Sequence, residues 1–201
     1  MFAAALAEID NSGRTVGVDP SPAMLVEAQR FNSHPRVRYV AGDAAALPIA
    51  DGCFDLALLS RVIHHLLDRQ RCAVELRRVL RPGGVVVVRT TVRERLDAIV
   101  YDYWPRLREI DQARFPSADT IVADFEAAGF TPTTVDSVAQ PVQPHLRAYH
   151  DALASRPQSK FETLATDEFA TGLARLRQDA EAETDPHEIS ERYDVLVFAA
   201  R

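Results

Sequence analysis

The sequence predicts an α/β fold, a doubly wound and mostly parallel sheet with helices on both faces. Three observations carry this. Apolar runs alternate with helical patterns along the first half of the chain, the order expected of β-α-β units. The run Phe54–Leu59 is apolar on both faces beyond Asp55, as in a strand covered on either side. Pro82-Gly83-Gly84 separates a helical pattern from four successive valines, Val85–Val88, which read as a strand and little else.

The elements follow in order. Residues 3–9 read as helix, ended by Asn11-Ser12-Gly13-Arg14. Thr15–Val18 is a short buried strand, after which Ser21 and Pro22 supply the N-cap and first position of a helix reaching about Phe31. That helix aims its N-terminus at the end of the strand. Val37–Val40 is the next strand, closed by Ala41-Gly42-Asp43, and the loop from Leu47 to Gly52 leads to Phe54–Leu59, expected at the centre of the sheet. Asp68 caps a helix whose Cys72, Leu76, Val79 and Leu80 fall at helical spacing. Arg93–Arg114 reads as helix interrupted at Pro105, and Ser117–Ala128 as a second one closed by Gly129. Phe130–Val142 reads as an extended edge segment, with Pro132, Pro141 and Pro144 limiting its pairing. Two more helices are expected within 145–183 around the loop Ser155–Lys160, and Arg192–Ala200 is the last strand.

Composition bounds the function. With 201 residues, 47% hydrophobic and 26% charged, residues 1–201 are expected to form a single domain with its own core. A net charge of -6 argues against a partner bound by bulk phosphate electrostatics, so no nucleic acid is expected. The basic residues are almost all Arg, with Lys160 the only Lys. Cys53 and Cys72 are too few for a disulfide framework, which fits a reducing, cytoplasmic setting. No apolar run reaches the ~20 residues that a membrane span needs, and no secretory signal opens the chain, so no membrane partner is expected.

Several residues carry candidate chemistry. Asp19 closes a strand directly before a helix N-terminus, where an open α/β sheet places ligands. Its carboxylate either accepts two ribose hydroxyls or merely caps the helix with Ser21. Asp43 either accepts an exocyclic amine while the Ala44 N–H donates to a ring nitrogen, an adenine edge, or bonds its own loop as an Asx turn. Met24 either floors an adenine pocket or packs in the core. Ser60 and Arg61 follow the third strand and face the reacting end of any ligand held there. His64 and His65 are each either a general base or a packing group. Their adjacency does not suit a metal pair, and the five-residue spacing of His145 and His150 does not suit one helical face. Tyr101, Tyr103, Trp104 and Phe115 either roof a pocket or form core.

Taken together, Val16-Gly-Val-Asp-Pro-Ser-Pro-Ala-Met-Leu25, Gly42-Asp-Ala-Ala-Ala-Leu-Pro48, Phe54-Asp-Leu-Ala-Leu-Leu-Ser-Arg-Val-Ile-His-His65 and Arg78-Val-Leu-Arg-Pro-Gly-Gly84 resemble the class I S-adenosylmethionine-dependent methyltransferases, in the type 11 or ubiquinone-biosynthesis-like branch. Tyr193-Asp-Val-Leu-Val-Phe198 resembles the antiparallel last strand of their Rossmann-like sheet. The resemblance implies S-adenosyl-L-methionine as cofactor and methyl transfer to a small-molecule acceptor, with residues 91–192 including the helices of a substrate lid. By it Asp19 holds the ribose hydroxyls, Pro20 and Met24 line the adenine, Asp43 and Ala44 read its edge, and Ser60 and Arg61 approach the methionine moiety. His65 matches a histidine often found after the fourth strand, which makes His65 and its neighbour His64 the catalytic candidates.

The family also carries an acidic residue and Gly-x-Gly-x-Gly between its first strand and first helix. This sequence opens on what reads as that helix, so the first strand is expected to be missing or truncated, with its place between the strands of Val16 and Phe54. Two readings follow: an N-terminally truncated methyltransferase that by itself binds the cofactor weakly or not at all, or a catalytically inactive methyltransferase-like binding or scaffold protein. A nicotinamide-dependent dehydrogenase shares the acid after the second strand but finds no support in Asp43 or the Pro-Gly-Gly turn.

Overall fold

The structure, a computed structural model, describes residues 2–9, 13–155 and 159–201. The expected loop residues Asn11 and Ser12, and 156–158 of the Ser155–Lys160 loop, lie outside the described residues. The elements are α1 (Phe2–Ile9), β1 (Thr15–Asp19), α2 (Pro22–Phe31), β2 (Val37–Ala41), β3 (Phe54–Ser60), α3 (Arg69–Val79), β4 (Leu80–Thr90), α4 (Val100–Tyr103), α5 (Pro105–Arg114), α6 (Ala118–Ala127), β5 (Phe130–Gln143), α7 (Leu146–Leu153), α8 (Thr166–Ala182) and β6 (Ile189–Ala200), with short 3₁₀ turns at Ile63–His65 and Ser159–Thr163.

The strands form two sheets. β1 and β2 pair in parallel, Asp19 opposite Ala41, and the second sheet has the order β3-β4-β6-β5. In it β3 and β4 run parallel, while β6 is antiparallel to both of its neighbours, as the sequence predicts for the last strand. Three expectations are corrected. Phe54–Ser60 is not central: β3 lies at one end of the four-stranded order, with Asp55 exposed and Leu56 46% exposed. Pro82-Gly83-Gly84 does not stop the chain before β4 but lies inside it, looped out where the register jumps from Phe54–Leu80 to Leu56–Val85, with Gly83 at φ +76°. Arg93–Ile99 is not helical, because this stretch is tied to the sheet instead. The Val92 N–H donates to Asp194 Oδ2 at 3.0 Å, and the Arg95 guanidinium pairs with Asp194 Oδ1 at 3.0 Å.

Two buried clusters hold the second half together. One packs Leu76, Ile121, Phe125, Phe130 and Phe198 between α3, α6 and the β4–β6 face, with the Phe125 and Phe198 rings stacked at 4.5 Å. The other gathers α4, α5, α7 and α8 around Trp104, whose ring stacks on Phe169 at 5.6 Å and meets Phe161 edge-on at 5.0 Å. Gly172 is required there, since a Cβ would sit 2.2 Å from Trp104 Nε1. Among the described residues no helix is long and apolar enough to cross a membrane.

Candidate functional site

Asp19 ends β1 just ahead of α2, whose N-cap Ser21 accepts from the Met24 N–H. The Ser21 N–H in turn donates to Asp19 Oδ1 at 2.8 Å, and the Gly42 N–H donates to the Asp19 carbonyl at 3.2 Å. Thus one carboxylate oxygen of the half-buried Asp19 orders the turn, while Oδ2 faces an exposed helix N-terminus, a position that favours negative charge and hydroxyl donors. Pro20 beside it is exposed, and Met24 is 56% exposed rather than core.

Asp43 follows the tip of the adjacent strand. Its Oδ1 accepts from the Ala45 N–H at 2.9 Å and its carbonyl from the Ala46 N–H at 3.0 Å, so the Asx turn is present. The loop that it opens is stapled along α3. The Arg71 Nε donates to the Ala45 carbonyl, the Leu47 N–H donates to Glu75 Oε2 at 2.9 Å, and Arg78 reaches the Leu47 and Ile49 carbonyls and Asp51. The loop therefore runs from the N-terminal turns of α3 to its C-terminal turn. Since α3 starts from the end of β3, Ala44 and Asp43 are carried to the end of the molecule where β3 finishes. Glu75 is buried, and its hydrogen bond to Arg78 holds its carboxyl below the usual range. Cys72 on the same helix is no nucleophile, because burial pushes its thiol up to about 12.

At the tip of β3, Ser60 accepts from Arg89 Nη1 at 3.3 Å, and Arg61 takes φ +58°, the one left-handed non-glycine residue among those described. The chain then turns through Ile63–His65, and a cavity of about 340 Å³ opens beside it. Its walls come from the ends of β3 and β4, the 91–99 segment, α4, α5, the 159–163 turn and the start of β6. Of the residues singled out in sequence, Arg61, His64 and His65 line this cavity; Asp19, Pro20, Met24, Asp43, Ala44 and Ser60 do not. The aromatic group divides: Tyr101 and Phe115 face the cavity, whereas Tyr103 and Trp104 are core.

Both histidines are held neutral. Burial, with the fields of His65, Arg114 and Arg61, lowers His64 to about 3. Its Nδ1 is buried without a hydrogen-bond partner among the described residues, and its ring meets Phe115 edge-on at 4.4 Å. Desolvation and then Arg114 lower His65. Among the described residues no cluster of His, Cys, Asp and Glu is arranged to hold a metal.

Sequence reasoning missed much of the lining. Asp111, buried, accepts from the Tyr101 hydroxyl at 2.8 Å, and Glu191 accepts from the Tyr193 hydroxyl at 2.6 Å. Lys160 reaches the cavity from the turn before α8, and burial lowers its ammonium. Its rarity as a lysine in an Arg-rich chain was the one available signal. Asp111 and Glu191 lie on elements whose pattern reads as solvated helix face and strand start, which hides them.

Comparison with known proteins adds to this geometry. Residues 1–88 match a family described as methyltransferase domain. A methyltransferase of Mycobacteroides abscessus, uncharacterised by its name, is 37% identical over 94 residues, covering 45% of this chain and 36% of that protein. A protein of Mycolicibacterium smegmatis, named as an S-adenosylmethionine-dependent methyltransferase, is 37% identical over 84 residues, covering 42% of this chain and 32% of the other. The chain thus spans about a third of the length of these relatives. A solved structure described as a methyltransferase from an antibiotic biosynthesis pathway of Anabaena variabilis shares the fold, with a TM-score of 0.71 at 22% identity over 98% of this chain and 85% of that one.

Proposed function

We propose that the chain, whose residues 1–88 match a family described as methyltransferase domain, transfers a methyl group from S-adenosylmethionine to a small molecule seated in the cavity at the β3 tip. One observation carries the reading. Asp19 closes β1 opposite Ala41, the last residue of β2, and Asp43 follows two residues later, which supports a single adenosine reaching both carboxylates.

The residues fit such a ligand. Asp19 Oδ2 takes the ribose hydroxyls while Oδ1 keeps the turn; Pro20 and the exposed Met24 side chain give the adenine an apolar face; Asp43 and the Ala44 N–H take its edge. Ser60 and the Arg61 backbone approach the methionine end, which leaves the Arg61 guanidinium to the cavity. The bound sulfonium supplies an electrophilic methyl to an acceptor oxygen, nitrogen or carbon in line with it. What the protein adds is position and the exclusion of water. His64, neutral across the physiological range, orients the acceptor by a hydrogen bond and takes no proton at pH 7.

Calorimetric titration of the chain with S-adenosylmethionine tests this. Weak but saturable binding that Asp19→Ala reduces ~10-fold or more, the value of one charge-assisted hydrogen bond, is expected. Absence of binding, or identical binding by Asp19→Ala, overturns it.

A further inference from the structure

We propose, on the methyl-transfer reading above, that the acceptor in this cavity is a small anion whose carboxylate or phosphate group seats between Arg61 and Lys160. The cavity is lined by the cations Arg61, Arg95, Arg114, Lys160 and Arg192 and by the acids Asp97, Asp111 and Glu191. Most of these charges are already engaged. Arg95 pairs with Asp194, Arg114 donates to His65, Arg192 donates to Ser137, and Asp111 and Glu191 are each capped by a tyrosine hydroxyl.

Of the cations, Arg61 and Lys160 differ from the rest; of the acids, Asp97 has no ion pair or hydrogen bond among the described residues. Among the described residues neither cation's side chain has an ion pair or hydrogen bond, and each stands over a ring face, Arg61 at 5.9 Å from Tyr193 and Lys160 at 5.8 Å from Phe161. Glu191 and Asp111 act on the Lys160 ammonium from beyond ion-pair distance, and Arg61 acts against it. Lys160 is partly buried, and a desolvated cation without a counter-ion is costly, so such a group in a cavity is matched by charge on what enters; Arg61, which is exposed, adds a second positive charge beside it. Arg61 adds backbone strain at φ +58°, which persists where the surroundings over-determine it and concentrates at ligand sites. Tyr101, Phe115 and Tyr193 supply flat walls, and about 340 Å³ suits one ring with its acid group.

The test is a nuclear magnetic resonance titration of the whole chain with benzoate, phenyl phosphate, benzamide and benzylamine, with and without S-adenosylhomocysteine. Expected is binding of benzoate or phenyl phosphate at least ~10-fold tighter than of benzamide. Lys160→Met and Arg61→Gln each weaken it ~10- to 100-fold, and Lys160→Arg restores it to within a few-fold. Which of the two anions binds better tells carboxylate from phosphate. Equal binding of benzamide, tighter binding of benzylamine, insensitivity to Lys160→Met in a folded variant, or no binding of any probe overturns the proposal. Anion-selective binding in a chain that transfers no methyl group removes the methyl-transfer reading alone. Methyl transfer to neutral or amine acceptors that Lys160→Met leaves undiminished removes the anionic acceptor alone.

Discussion

Arg114 Nη2 stands 2.6 Å from His65 Nδ1. A guanidinium has donors only, so Nδ1 is the acceptor in this bond and the ring proton sits on Nε2. Burial is the first reason that His65 titrates below its ordinary value, and the same contact adds to it by opposing a second proton on the ring. Replacing Arg114 with Gln is expected to raise the His65 pKa toward the solvent value of ~6.5, read from the Hε1 resonance in a pH titration. An unchanged midpoint would show that the guanidinium does not control the ring.

Acid stability follows from His64. Its folded pKa of about 3 lies below the 6.5 of the unfolded chain. Above pH 6.5 neither state carries the proton, and stability is unaffected. Below 6.5 the unfolded chain takes a proton that the folded ring refuses until about pH 3, so stability falls across that window. Glu75, whose carboxyl is depressed, adds a loss in the same direction below the ordinary Glu range. Urea midpoints measured from pH 7.5 to 4 should therefore drop, and His64→Gln should flatten the upper part of the curve. A midpoint constant between pH 7 and 5 contradicts the assignment.

Glu75 links fold to ligand. Its buried carboxylate accepts from the Leu47 N–H and from Arg78, which also ties Ile49 and Asp51. Glu75→Ala is expected to cost about 1–3 kcal/mol through the unpaired Leu47 N–H and Arg78, and to weaken S-adenosylmethionine binding because the freed loop carries Asp43. Chemical denaturation and titration of the same variant check both. Full affinity in a destabilised Glu75→Ala chain would mean that the loop does not position Asp43.

The parts of this arrangement that were legible in sequence are local ones. Ser21 and Asp68 announce their caps, Pro22 its first-turn position, and the order of apolar runs gives parallel pairs joined by helices. What stayed hidden is set at a distance. Nothing in Arg93–Ile99 reveals that Asp194, about a hundred residues on, draws this stretch away from helix. A strand apolar on both faces reads as central, yet Leu56 in β3 is 46% exposed, because its neighbours are decided by pairing and not by its own pattern. In the cavity, Asp111 and Lys160 meet from segments about fifty residues apart, which no spacing rule encodes.

Gly172 tests the second core. A methyl group there meets the Trp104 indole at 2.2 Å, in a cluster where Trp104 Nε1 also donates to the Phe169 carbonyl at 3.2 Å. Gly172→Ala is expected to destabilise the chain by about 1–3 kcal/mol as the ring is forced aside, despite the better helix propensity of Ala. Trp104 is the only tryptophan, so its fluorescence should shift toward the red in the folded variant. Wild-type emission with wild-type stability would place α8 further from the ring.

Arg61 separates backbone strain from side-chain function. At φ +58° a residue with a Cβ is strained by about 1 kcal/mol relative to glycine. Arg61→Gly removes both the strain and the guanidinium, whereas Arg61→Ala removes the guanidinium alone. Arg61→Gly is therefore expected to be the more stable of the two by about 1 kcal/mol, set against the greater freedom of glycine in the unfolded chain. Both should lose acceptor binding equally. Denaturation curves rank stability, and titration with benzoate ranks binding. If Arg61→Ala proved as stable as Arg61→Gly and kept its affinity, the left-handed turn would be relaxed in solution and the guanidinium would lie outside the cavity.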